Sequence, residues 1–105
     1  MAWIYLVLAG VSEIGWPLGL KLSQTTKNVG GGIALAVISM ALSGVLLWLA
    51  QREIPIGTAY AVWTGIGATG TFVLGILIFG DAQSLGKWLS VALIIGGVIG
   101  LKMAH

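Results

Sequence analysis

Four long apolar runs separated by short polar links make up the chain. Ala2–Leu22 is apolar apart from Ser12, Glu13 and the terminal Lys21. Ile33–Ala50 and Ile54–Phe79 carry no charge, and Leu85–Leu101, a little short, has Lys87 and Lys102 at its ends. Long basic side chains at such ends reach back to water. A helix crosses the hydrocarbon core with about 20 mostly apolar residues. The pattern therefore predicts four spanning helices, at about 2–22, 33–50, 54–79 and 85–102. The links Ser23–Gly32, Gln51–Glu53 and Gly80–Ser84 hold the turn-formers and most of the charges. Barrel strands would alternate polar and apolar residues, and these runs do not. A signal peptide fits the first run poorly, since the run is long, lacks a basic start and has no small-residue cleavage site ahead of a soluble domain. The expected fold is all-α, with one four-helix transmembrane domain over 1–105.

Composition sharpens this. Hydrophobic residues make up 58% and charged residues 8%, against about 25% charged in a soluble domain. So few charges could not cover a small soluble core, and disorder needs low hydrophobicity. Lipid bilayer is the natural surrounding. The net charge of +2 is spread without a basic run, so nucleic acid is not expected as a partner. With no cysteine, disulfides and thiolate metal sites are excluded, and no cofactor or metal is expected. The single histidine is terminal, and no second buried acid or nucleophile can pair with Glu13, so an enzyme is not expected. Arg52 and Lys102 fall on one side of the membrane, and Lys21, Lys27 and Lys87 on the other. Basic residues set orientation only when their bias is clear, so insertion in both orientations and in one are equally compatible with the count.

Glu13 is the most informative residue. It lies 11 positions after Ala2, about 16 Å along a helix, near the midplane of a core roughly 30 Å thick. Glu53 and Asp81 lie in links, where water is expected to reach them. Intramembrane charges mark ion or substrate paths by default. Low dielectric works against a bare charge, so a carboxyl there holds either a proton or a cation, and the two ligands compete. That competition is the minimal coupling for antiport. The plainer alternative is a protonated side chain that donates a hydrogen bond between helices.

Gly10, Glu13 and Pro17 share one helix face, with Trp16 beside them. Pro17 has no N–H for the carbonyl of Glu13, and in lipid a freed carbonyl needs another partner or a cavity. A simple kink is the other account of Pro17. Tyr60, Trp63, Thr64, Gly67 and Thr71 follow helical spacing in the third run. Trp3, Trp48 and Trp88 fit an interfacial belt, whereas Trp16 and Trp63 lie deep. Tyr60 and Trp63 offer either hydrogen bonds to a carboxylate or ring faces to a cation. Ser39 and Ser43 share a face of the second run, where either could simply bond its own backbone. Gly65, Gly67 and Gly70 suit close packing or bending. Gly96 and Gly100 form a G-x-x-x-G pair that favours helix association. One such chain can hardly enclose a polar site, and a dimer would bring two Glu13 side chains together.

Along essentially its whole length the chain resembles the small multidrug resistance family, and its guanidinium exporter branch most. The match rests on Glu13 and Trp16 leading into Gly19-Leu20-Lys21, on the run from Pro55 to Ala68 with its Trp63-Thr64-Gly65-Ile66-Gly67-Ala68 core, and on the ending Ile99-Gly100-Leu101-Lys102. The resemblance implies an antiparallel homodimer of dual-topology subunits in a bacterial plasma membrane. Proton import would drive export of a small organic cation by alternating access, with Glu13 binding protons and substrate in turn. Trp16, Ser43, Tyr60 and Trp63 match positions that line the site. Gly65 and Gly67 match a bend in the third helix, and Gly96, Gly97 and Gly100 match the dimer contact. Gly15 and Pro17 depart from the branch, where small or β-branched residues are usual, as does the triple glycine in the link Ser23–Gly32. They leave guanidinium, a substituted guanidinium such as guanylurea, and a small quaternary ammonium all open. A broader quaternary ammonium efflux protein, an accessory membrane protein and a subunit working only with a paralogue are the alternatives.

Overall fold

The computed structural model describes residues 1–104, so His105 lies outside the described residues. It contains four helices, α1 (Ala2–Thr25), α2 (Val29–Ala50), α3 (Ile56–Phe79) and α4 (Leu85–Ala104). Each is long and apolar enough to cross a membrane. The connections are short, so consecutive helices run antiparallel and α1 and α3 run parallel.

Of the stretch expected as a ten-residue link, Ser23–Gly32, only Thr26, Lys27 and Asn28 lie outside a helix. Three things account for this. Thr26 closes the end of α1, its N–H and its hydroxyl both donating to the Leu22 carbonyl, while the hydroxyls of Ser23 and Thr25 donate to the carbonyls of Leu20 and Lys21. Asn28 caps α2 by accepting the N–H of Gly31 at 3.0 Å. Finally, Gly32 and Gly19 let the two backbones touch. A Cβ on Gly19 would lie 2.5 Å from the carbonyl oxygen of Gly32, and one on Gly32 would lie 2.6 Å from the nitrogen of Ser23. The start of α3 also differs, at Ile56 rather than Ile54. Pro55 disfavours helix in the residue before it, and Ile54 is instead buried with Ala2, Leu6, Ala50, Ala59 and Val62. At the other end of the chain α4 continues to Ala104.

Small residues dominate the α1–α2 seam: Gly19 meets Gly32 and Ala36, and the Ser39 hydroxyl occupies the place of a Cβ on Gly15. The α1–α3 seam is built the same way. Gly10 faces Ile66, Glu13 faces Gly67, and Ile14 faces Gly70. By contrast, α4 brings its backbone close to α3 alone, touches α1 only through side chains, and contributes no buried residue. Val98 fills the space that Gly65 leaves, and Phe72 meets Trp88 edge-on with ring centroids 5.2 Å apart. Lys102 reaches across to the ring of Trp3, and Arg52 lies 4.7 Å from the ring of Trp48. Both are cation–π contacts.

Candidate functional site

Beside the α1–α3 seam lies a cleft of about 390 Å³. Its walls are Glu13, Trp16 and Pro17 from α1, and Tyr60, Trp63, Thr64, Gly67, Ala68 and Thr71 from α3. The helical spacing seen in the sequence is what aligns the α3 set on one wall. Gly67 governs the approach of the carboxyl group: a Cβ there would lie 3.0 Å from Oε2 of Glu13 and 2.9 Å from its Cγ. The α3 backbone is thus pressed against the carboxyl. No hydrogen bond or ion pair holds that carboxyl among the described residues.

The aromatic walls are held from behind. The indole N–H of Trp63 donates to the Ser43 hydroxyl at 2.7 Å, and that hydroxyl donates to the carbonyl of Ala9, also at 2.7 Å. In an α-helix the Ala9 carbonyl is also the acceptor for the N–H of Glu13. One chain of hydrogen bonds therefore joins the α3 aromatic, the α2 serine and the α1 backbone at the carboxylate's own turn. Ser43 is fully buried and lies behind Trp63 rather than on the wall of the cleft. Nor is its bond one to its own helix, since it crosses to α1. Because Ser43 takes its N–H, Trp63 has no indole donor left for Glu13 and offers its ring. Tyr60 stacks at an angle on it, with centroids 5.5 Å apart and planes at 51°, and remains largely exposed. Trp16 is also part-exposed on the α1 side.

Gly65 and Gly67 lie within one unbroken helix. In this structure each admits a neighbour, Val98 on one side and Glu13 on the other. A Cβ on Gly96, Gly97 or Gly100 would meet no heavy atom among the described residues. These glycines lie on α4, away from Glu13. The described residues include no group of three acids or histidines able to hold a metal ion. Sequence spacing alone did not reveal that Pro17 and Thr71 are shared with a second chamber further along the same seam, lined also by Leu18, Lys21, Leu74 and Asp81. Lys21 closes the first apolar run, and Asp81 falls in the polar link Gly80–Ser84.

Four helices long and apolar enough to cross a membrane indicate a multi-pass membrane protein, and the chain belongs to the small multidrug resistance family, whose model matches residues 1–94. Particular relatives narrow this. A protein of Yersinia pestis named guanidinium exporter is 50% identical over 104 residues, covering 99% of both chains. Proteins with the same name from Citrobacter freundii and from Salmonella typhimurium strain LT2 are 43% and 42% identical, each over 99% of this chain and 98% of the relative.

Proposed function

We propose that this chain is a proton-coupled antiporter that exports guanidinium or a small substituted guanidinium, such as guanylurea, across a bacterial plasma membrane. Glu13 binds proton and substrate in turn, and the site alternates its access between the two faces. The observation that carries this reading is the carboxyl of Glu13 in an aromatic-walled cleft, pressed against Gly67 and without a protein cation to neutralise it. A carboxylate offers a planar guanidinium a two-point hydrogen-bonded contact, and the faces of Trp63, Tyr60 and Trp16 suit a delocalised cation. The names of the relatives support the same substrate.

The functional unit in this reading is an antiparallel homodimer with two Glu13 residues. The exposed α4, with Gly96, Gly97 and Gly100 uncovered, supports that assembly. A dimer would also wall the open side of the cleft. Movement between the two access states would bend α3 near Gly65 and Gly67. The test is flux into liposomes holding only this protein, under an imposed proton gradient, across a panel of guanidinium, guanylurea and tetraethylammonium. The expected result is gradient-driven guanidinium exchange that Glu13→Gln abolishes. Flux indifferent to the proton gradient, or confined to tetraethylammonium, would reject it.

A further inference from the structure

The Glu13 cleft differs between its two ends. Because α1 and α3 run parallel, the facing pair Glu13/Gly67 divides the cleft along both helices at once. Before Gly67 the α3 wall is Tyr60, Trp63 and Thr64, with the two rings stacked at an angle. After Gly67 it is Ala68 and Thr71. Pro17 and Thr71 each lie four residues beyond the facing pair, about 6 Å further along the seam. Pro17 has no N–H, and Ala68 has no polar side-chain atom. Thr71 thus brings the hydrogen-bonding side chain to this end of the α3 wall.

The Thr71 hydroxyl is unspent. A helical serine or threonine can satisfy its hydroxyl on a carbonyl of the preceding turn, and Thr25, Thr26 and Ser90 do so here. Thr71 makes no such bond, nor any other among the described residues. Its hydroxyl also stays accessible, whereas that of Thr69 is sealed in without a partner. Thr71 is half-buried while Thr64 is exposed, and a hydrogen bond gains strength where less water surrounds it. A hydroxyl both donates and accepts, so it suits a carbonyl or an amide N–H equally.

We infer that Thr71 is a specificity-determining residue that reads a polar arm on the substrate. With the guanidinium end on the Glu13 carboxylate, a urea group attached to it extends one helical turn along the seam. There its carbonyl accepts from the Thr71 hydroxyl, or its terminal NH2 donates to it. Bare guanidinium ends short of that turn. The inference rests on the transport reading above and narrows its substrate to a guanidinium carrying a second hydrogen-bonding group, as guanylurea does. An alkyl arm of similar reach gains nothing from the hydroxyl.

The test measures proton-driven exchange in liposomes of guanidinium, guanylurea and methylguanidinium, the last of which enlarges the cation without adding a second polar group. Each kcat/KM is taken relative to that of guanidinium, so a loss of folded protein cancels. Thr71→Val keeps the branching and removes the hydroxyl. It is expected to lower the guanylurea ratio roughly threefold to tenfold, the range of one hydrogen bond, and to leave the methylguanidinium ratio where it was. Thr71→Ser should keep the guanylurea ratio of the wild type. An unchanged guanylurea ratio in Thr71→Val overturns the inference, as does an equal fall for methylguanidinium or a Ser variant as impaired as Val. So does a wild type that carries guanidinium and not guanylurea. In each of these cases guanidinium exchange by the wild type still upholds the transport reading, whereas a wild type that exchanges none of the three overturns both.

Discussion

Three uncharged neighbours shape the surroundings of Glu13. Gly67 brings the α3 backbone to it, Pro17 removes a donor from its carbonyl, and Ser43 fixes the indole opposite. Glu13→Gln is expected to abolish proton-coupled exchange, because an amide cannot alternate between proton and cation. The measurement is guanidinium flux under a proton gradient, and normal flux would refute the mechanism. Ser43→Ala removes both the acceptor for Trp63 and the donor to Ala9. A polar group left unpartnered costs about 1–3 kcal/mol. We expect weaker guanidinium binding and a lower melting temperature in detergent, read together by isothermal titration and thermal unfolding. Pro17→Ala returns an N–H to the Glu13 carbonyl, a bond worth about 1 kcal/mol. A guanidinium can use a free carbonyl through its N–H groups and a quaternary ammonium cannot. Competition binding should therefore show guanidinium losing relative to tetraethylammonium by up to about tenfold. Equal losses would show that Pro17 acts through helix shape alone.

At the scale of elements, long apolar runs predict the helices, and helical spacing alone aligns Tyr60, Trp63, Thr64, Gly67 and Thr71, which share one wall of the cleft. The pattern was misleading where glycine was involved. Gly30-Gly31-Gly32 has the composition of a loop, yet Gly32 belongs to a helix because a neighbouring helix needs its missing side chain. Hydropathy along one chain carries no record of what lies across from a residue. The same blindness hid the role of Ser43, which polarity alone could not separate from a bond to its own backbone. The seam can be tested directly. Gly32→Ala would push a methyl into the backbone at Ser23 and should cost about 1–3 kcal/mol. Gly30→Ala enters open space in the same first turns of α2 and should stabilise by about 0.5–1 kcal/mol. Opposite shifts in thermal unfolding are the expected outcome, and equal shifts would mean the helices do not touch there.

For the molecule as a whole, two basic residues on one side and three on the other leave the insertion machinery little to read. We expect both orientations in the membrane, measured with reporters fused to the chain ends. Added lysines on one side should tip the balance. Two oppositely biased versions should then regain transport together that neither shows alone. A single orientation for the unaltered chain would rule out dual insertion.

The attachment of α4 has a consequence for how this sequence can change. Within one chain α4 answers to α3 at Trp88, Ile94 and Val98, to the buried core through Leu101, and to Trp3 through Lys102. Its remaining surface meets lipid or another molecule, and the fold of the single chain sets no other condition on it. A map of every substitution along α4 would therefore act as an imprint of whatever touches it. Positions facing lipid would accept any apolar residue. Positions such as Gly96 and Gly100, if pressed by a partner, would accept almost none, although nothing in their own chain forbids a larger side chain there.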